Sequence, residues 1–173
     1  MKTMISEVVR KCPYCQKYKT VHQQFGHLPP KNIQHLQPLD EVHVDMIGPW
    51  KATINKFEYH FRAVTCIDAA INLPEVIPVE NAKSLTVANA FEDQWLSRYP
   101  KPRKCVHDNG NEFLGPEFLQ MLQRNNITSG PTTVKNPQFN AVVERLHQTL
   151  KTTIALSLQE NPPVSYEDVA SLI

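Results

Sequence analysis

The hydrophobic pattern changes period at Ser84, and this change restricts the chain to folds in which a run of strands precedes alternating helices and strands. Before it, residues 41–47 (Glu-Val-His-Val-Asp-Met-Ile) alternate polar and apolar and stop at Gly48-Pro49, which predicts a strand carrying Asp45 and closed by a turn. Residues 59–67, with Phe61, Val64 and Thr65, and residues 74–79 are rich in β-formers. Three consecutive strands predict an antiparallel meander. From Ser84 onward, Leu85, Val87, Ala88, Phe91, Trp95 and Leu96 recur at helical spacing. With Ser84 as cap and Pro100 as stop, they predict a helix of about four turns.

The second half continues in the same manner. Residues 104–107 form a short apolar strand that opens into Asp108-Asn109-Gly110, turn chemistry that places Asp108 at the strand's C-terminal end. A second helix follows, with Pro116 near its first turn and Phe118, Leu119 and Leu122 on one face. After a brief strand at Ile127, Gly130, Pro131 and Pro137 predict a mobile loop over 128–139. From Asn140 to about Leu158 the helical signal is strong. Val143, Leu146, Leu150 and Ile154 form its apolar stripe, and Asn140, Glu144, Gln148, Lys151 and Ala155 occupy a neighbouring face.

Net charge divides the chain. Residues 1–39 carry six basic side chains against Glu7 alone, a balance of +5, while the rest carries −4. A basic arm suits a polyanionic partner or is simply solvated, and the acidic body excludes a bulk nucleic-acid-coating surface. Pro29-Pro30 and Pro38 predict an extended linker, which divides the chain into an N-terminal segment, 1–37, and a globular body, 38–173. Cys12 and Cys15 form Cys-Pro-Tyr-Cys, half of a tetrahedral zinc site, with His22, His27 and His35 following the pair. Cys66 and Cys105 sit singly in apolar segments and read as buried thiols. No run of eighteen apolar residues and no apolar stretch after Lys2 occurs, so neither a membrane partner nor a secretory signal is expected. Residues 165–173 start a further helix with no stop signal, as if the chain were cut short there.

Asp108 and Glu144 lie thirty-six positions apart. With 17 acidic residues in 173, such a spacing means little alone; of five aspartates with a residue at that distance, only Asp108 meets a glutamate. Placement says more. Asp45 on a strand, Asp108 at a strand end and Glu144 on a helix face are a set that could hold Mg²⁺ or Mn²⁺ rather than ordinary surface acids. Asp68 and Glu112 are the nearest rivals, and Glu112, four past Asp108, is expected to point elsewhere on its turn.

Around these acids the chain resembles retroviral and gypsy-type LTR-retrotransposon integrases. Asp45-Met46-Ile47-Gly48-Pro49 is similar to their Asp-x-x-Gly-Pro, and His107-Asp108-Asn109-Gly110-Asn111-Glu112-Phe113 to their Ser/Thr/His-Asp-Asn-Gly-x-Glu-Phe. Pro137-Gln138-Phe139-Asn140 with Glu144-Arg145 resembles Pro-Gln-x-Asn-x-x-x-Glu-Arg, and the segment around Cys12 and Cys15 resembles the cysteine half of a His-His-Cys-Cys zinc domain. Ala141 departs from the family's usual glycine and should stiffen the helix start. The zinc histidines would lie upstream, and the family's C-terminal DNA-binding domain has no counterpart here.

The resemblance implies an α/β, ribonuclease H-like fold: a mixed five-stranded sheet flanked by helices, with a short zinc-knuckle-like N-terminal appendage. It implies DNA integration, in which the 3′-hydroxyl of an element end attacks a target phosphodiester, with water substituting in end trimming. Asp45, Asp108 and Glu144 would be both catalytic residues and ligands of two Mg²⁺ or Mn²⁺ ions, with Asp45 bridging. Zn²⁺ at Cys12 and Cys15 is expected only in a longer chain. Asn140, Gln148 and Lys151 would contact DNA, and His107 and Asn109 would support Asp108. Element ends, target duplex and further copies of the full-length chain are the implied partners. The nucleus is the implied place of action and a Gag-Pol-type polyprotein the implied source. The alternative is an inactive or recruited element fragment that binds nucleic acid or protein.

Overall fold

Three successive strands form one side of a five-stranded sheet: β1 (Glu41–Ile54), β2 (Phe57–Asp68) and β3 (Pro74–Val79), each antiparallel to the next. The computed structural model describes residues 7, 10–13, 37–54, 56–68, 70–131 and 137–160, with side chains in the last stretch at 143, 145–154 and 156. The chain then crosses over through α1 (Ser84–Phe91), extended by a π-helical turn over Glu92–Leu96, to β4 (Lys104–His107), which lies parallel to β1. A second crossover, α2 (Asn111–Leu114) and α3 (Pro116–Arg124), leads to β5 (Thr128–Pro131), parallel to β4. The sheet order is β3-β2-β1-β4-β5, and α4 (Pro137–Glu160) follows. Mixed sheet and flanking helices are as the sequence predicts. Most of the N-terminal segment, including Cys15 and the three histidines, lies outside the described residues.

Several boundaries differ from the expectation. β1 does not stop at Gly48-Pro49: register runs Ile47↔Ala63 and then Trp50↔Phe61, so one extra residue is absorbed as a bulge and pairing resumes to Ile54. Gly48 is required there. Its φ is +111°, and a Cβ would stand 2.7 Å from the Phe61 carbonyl oxygen. Ser84 does not cap its own helix; its Oγ accepts the Phe118 N–H at 3.1 Å and ties α1 to α3. Part of the segment expected as a mobile loop is strand β5. Gly130 and Pro131 signalled a loop, but the ladder with β4 decides, and Pro131 stands at the strand's last position, where a missing donor costs least. α4 begins earlier than Asn140, at Pro137, a position where proline's fixed φ suits a helix start.

Alternation along β1 assigns the two faces of the sheet. Val42 and Val44 point with Val64, Cys66, Ile77 and Cys105 into a core closed by Val87, Phe91 and Trp95 of the first crossover and Phe118, Met121 and Leu122 of α3. Each large side chain there contributes about 1.5–3 kcal/mol. His43, Asp45 and Ile47 fall on the opposite face, which α4 reaches through His147 and Thr65, the β2 partner of Asp45. Ile154 of α4 is buried as well. Asp45 therefore lies beneath the helix that carries Glu144.

Asp68, a rival for the acidic set, is fully buried in a structural role. One carboxylate oxygen accepts the Leu39 N–H at 2.7 Å, and the other accepts those of Ala70 and Ile71 at 3.0 and 2.6 Å. The anion thus organises the turn between β2 and β3 and pins the entry to β1. An asparagine can present only one acceptor oxygen, so its amide would oppose one of these donors. Asp68→Asn is expected to lower stability by about 1–3 kcal/mol, and Asp68→Ala by more. Urea denaturation checks this through a lowered midpoint at unchanged slope; wild-type midpoints in both variants would contradict the role.

Candidate active site

The parallel ladder between β1 and β4 pairs Val42 with Cys105 and His43 with Val106. Two residues beyond that last pair come Asp45 on β1 and Asp108, the first residue past β4. Neighbouring strands lie about 4.8 Å apart and residues two apart share a face, so the two carboxylates stand side by side at the same level. The tight Asp108-Asn109-Gly110 turn predicted from sequence is present: Asp108 Oδ1 accepts the Gly110 N–H at 2.9 Å.

Electrostatics marks the pair as a site. Burial, opposed by the Met46 N–H that Asp45 accepts at 2.8 Å, and then the negative charges of Asp108 and Glu112, push the Asp45 carboxyl up to about 6. Two anions facing a half-buried third make its ionised form costly unless a cation is supplied.

Asp108 is held from below. His107 is buried, and because a carbonyl can only accept, its Nδ1 donates to the Asp108 carbonyl oxygen at 2.7 Å. Its Nε2 lies 2.8 Å from Ser129 Oγ on β5. Phe113 and Phe118 pack on the ring with centroids 5.7 and 5.8 Å away. The histidine thus fastens the carboxylate-bearing turn to the edge strand and the core at once.

Glu144 lies on α4, one turn before His147; its side chain and that of Asn140 lie outside the described residues. Gln148 and Lys151 are exposed on the same helix. Cys12 is half-buried next to helical residues at 10, 11 and 13, and Cys15, the other half of the expected zinc pair, lies outside the described residues. Cys66 and Cys105 are buried, as expected, and burial pushes both thiols well up.

Two residues stand closer to Asp45 than the sequence reading places them. Glu112, expected to face away, acts on Asp45 by its charge, and its carboxylate carbon lies 2.8 Å from where a Gly110 Cβ would be. The reason is the short helix α2, which starts at Asn111 and folds position 112 back over the turn. The Asp-to-Glu step of four was the available signal. His147 is the other: its Nε2 lies 2.9 Å from Thr65 Oγ1, and its Nδ1 lies 3.8 Å from Asp45 Oδ2. Its place three residues after Glu144 was the signal.

The chemistry of the donor set fits a divalent cation. Hard carboxylate oxygens come from neighbouring positions on β1 and just past β4, and the Asp45 carboxyl, raised first by burial and then by the charges of Asp108 and Glu112, would be relieved by a cation. Among the described residues, no three His, Cys, Asp or Glu side chains converge closely enough to hold a metal ion on their own. Glu144 lies on α4, the helix that reaches this face of the sheet through His147.

No protein-family model matches the chain. It is 34% identical over 155 residues to the retrovirus-related Pol polyprotein from transposon 412 of Drosophila melanogaster, an alignment covering 87% of the chain and 12% of that protein. It is 28% identical over 156 residues to the intracisternal A-particle Pol-related polyprotein of mouse intracisternal a-particle MIA14, covering 89% of the chain and 16% of the relative. The chain thus spans a small part of the polyproteins it matches. In structure it is similar to the HTLV-2 integrase catalytic core domain in complex with magnesium (trimeric form), with a TM-score of 0.59 at 20% identity over 79% of this chain and 84% of that one. Among the described residues no helix is long and apolar enough to cross a membrane. The chain is thus related in sequence to part of retrotransposon Pol polyproteins and has the fold of a retroviral integrase catalytic core.

Proposed function

We propose that this chain carries the catalytic centre for divalent-metal-dependent DNA strand transfer, joining the 3′-hydroxyl of an element end to a target duplex and, with water in its place, trimming that end. The observation that carries the reading is the placement of Asp45 and Asp108 at matching positions across the parallel β1–β4 ladder, with the Asp45 carboxyl raised by burial and by the charges of Asp108 and Glu112. Glu144 on α4 is the third member. Two Mg²⁺ or Mn²⁺ ions, when bound, supply positive charge that activates the attacking oxygen and steadies the one that leaves. The chain's own residues hold and orient. Asp45 would hold the ions from the sheet and Asp108 from a turn braced by His107, with Glu144 contributed by α4.

Gln148 and Lys151 are exposed one and two turns along α4 from position 144 and, with Asn140 one turn before it, would contact the DNA backbone. The related structure described with magnesium, in a trimeric form, supports metal use and self-association in the complete protein. Cys12 and Cys15 would contribute to a zinc site there, and release from a Pol polyprotein followed by action in the nucleus completes the reading.

In the complete protein, Asp108→Asn should reduce DNA joining by more than about a hundredfold, the upper end of what losing an outer supporting group costs. Gel-resolved strand-transfer products check this, and undiminished joining would remove Asp108 from the reaction. Lys151→Ala should weaken DNA binding evenly across sequences and reduce the slope of log affinity against log salt by about one unit, read by fluorescence anisotropy. An unchanged slope would mean Lys151 touches no phosphate.

A pH dependence follows from Asp45. Its carboxyl is raised in the folded state, from 3.8 to about 6, so in the metal-free chain this group's contribution to stability is greatest below pH 4. That contribution falls as pH rises from about 4 to about 6. Cation binding needs the ionised form and runs the other way. Millimolar Mn²⁺ should therefore raise the melting temperature at pH 7, and the concentration for half the effect should be about tenfold higher at pH 5. A stabilisation equal at both pH values, or one retained in Asp45→Asn, would place the ion elsewhere.

A further inference from the structure

We propose that His147 is a positioning residue: through Thr65 it fastens α4 to the strand pair that carries Asp45, and so fixes the helix bearing Glu144 relative to the acids of the sheet. This deepens the strand-transfer reading and rests on it for the meaning of the geometry, though not for the contact itself.

The contact has a definite sense. Thr65 has one hydroxyl proton, and its Oγ1 donates to the Asp45 carbonyl oxygen at 3.2 Å. The same Oγ1 lies 2.9 Å from His147 Nε2, so with its proton already committed it must accept, and Nε2–H of the histidine donates. One hydroxyl therefore links the backbone of Asp45 to the ring of His147. In a neutral ring, Nδ1 is then the bare nitrogen; it points toward Asp45 Oδ2 from 3.8 Å, near enough to restrict the carboxylate and too far to bond it.

Three features favour positioning over simple packing. Thr65 is buried and pairs directly with Asp45 across the β1–β2 ladder, so it lies at the level of the acids and nowhere else along the strand. His147 is one turn from Glu144, so a shift in where its ring rests moves the backbone of that residue directly. Finally, among the described α4 side chains, His147 makes a hydrogen bond that crosses to the sheet, whereas that of Thr149 returns to the Arg145 carbonyl within the helix. Apolar side chains such as Ile154 press α4 on the sheet without choosing its rotation. A hydrogen bond with a stated donor and acceptor does choose it.

The test uses the whole chain and the variants His147→Ala, His147→Gln, Thr65→Val and the His147→Ala/Thr65→Val double variant. Glutamine can offer an N–H near the position of histidine Nε2, so it separates the hydrogen bond from the ring. Two readouts are taken: amide hydrogen exchange of α4 over 144–151, and the Mn²⁺ concentration for half-maximal thermal stabilisation. His147→Ala and Thr65→Val should each speed α4 exchange by about fivefold to tenfold, the equivalent of one net hydrogen bond. Each should raise the Mn²⁺ midpoint by a similar factor. The double variant should be no worse than the worse single one, and His147→Gln should restore most of the wild-type behaviour.

Additive effects of the two single changes, or a glutamine variant as impaired as alanine, would overturn the proposal. So would faster exchange with an unmoved Mn²⁺ midpoint, because the contact would then hold the helix without placing its acid. If the wild-type chain shows no Mn²⁺ stabilisation, the metal reading fails, while the exchange cycle still decides whether Thr65 and His147 form the latch.

Discussion

Everything at the site depends on the register of β4 against β1. A parallel pair has no turn to fix its alignment, so the alignment must come from what each strand buries: Val42 and Cys105, directly opposed, both face the α1–α3 core. A slip of one residue would turn Asp108 toward that core, among Phe113 and Phe118, where an ionised carboxylate would cost several kcal/mol. The apolar face thus sets the acidic one. Nothing about the carboxylates themselves stabilises their closeness: like charges repel, and those of Asp108 and Glu112 add to the burial that raises the Asp45 carboxyl.

Resistance to that repulsion is spread over groups around the pair. His107 holds the Asp108 backbone and fills a pocket between two aromatic rings, so the turn cannot relax outward without exposing the ring. Asp68 fixes the far end of β2 and the start of β1. Gly48 admits the bulge that lets β1 twist on past the site without breaking its pairing with β2. Buried residues of these kinds keep an unfavourable cluster of charge in place, as a preorganised centre requires.

How much of this was legible from sequence varies with the kind of information involved. Strands with clean alternation, such as 41–47, and the helix with a long apolar stripe, 143–154, were readable because period alone reports the buried face. β5 was not, since four residues containing Gly130 and Pro131 have no local preference for a strand and gain one only from the β4 ladder. Similarly, Gly48-Pro49 signals a turn locally, and only the pairing on both sides of it makes a bulge. At the site, Asp45 and Asp108 were recognisable by motif, whereas the burial of Asp68 and the closeness of Glu112 to Asp45 depend on three-dimensional direction. Asp68 is drawn inward by three backbone donors, and Glu112 is folded back by a helix of a single turn.

His147 illustrates why that last category is hardest to read. A histidine three residues past an acid on an amphipathic helix has no meaning until the strand opposite is known, and Thr65 acquires meaning only as the cross-strand partner of Asp45. Motifs report residues that chemistry demands, and periodicity reports residues that burial demands. A group that sets the angle between a helix and a sheet answers to neither. Such a residue can change identity whenever another side chain reaches the same partner, so it is best sought as a hydrogen bond joining two elements of a site rather than as a letter in a pattern.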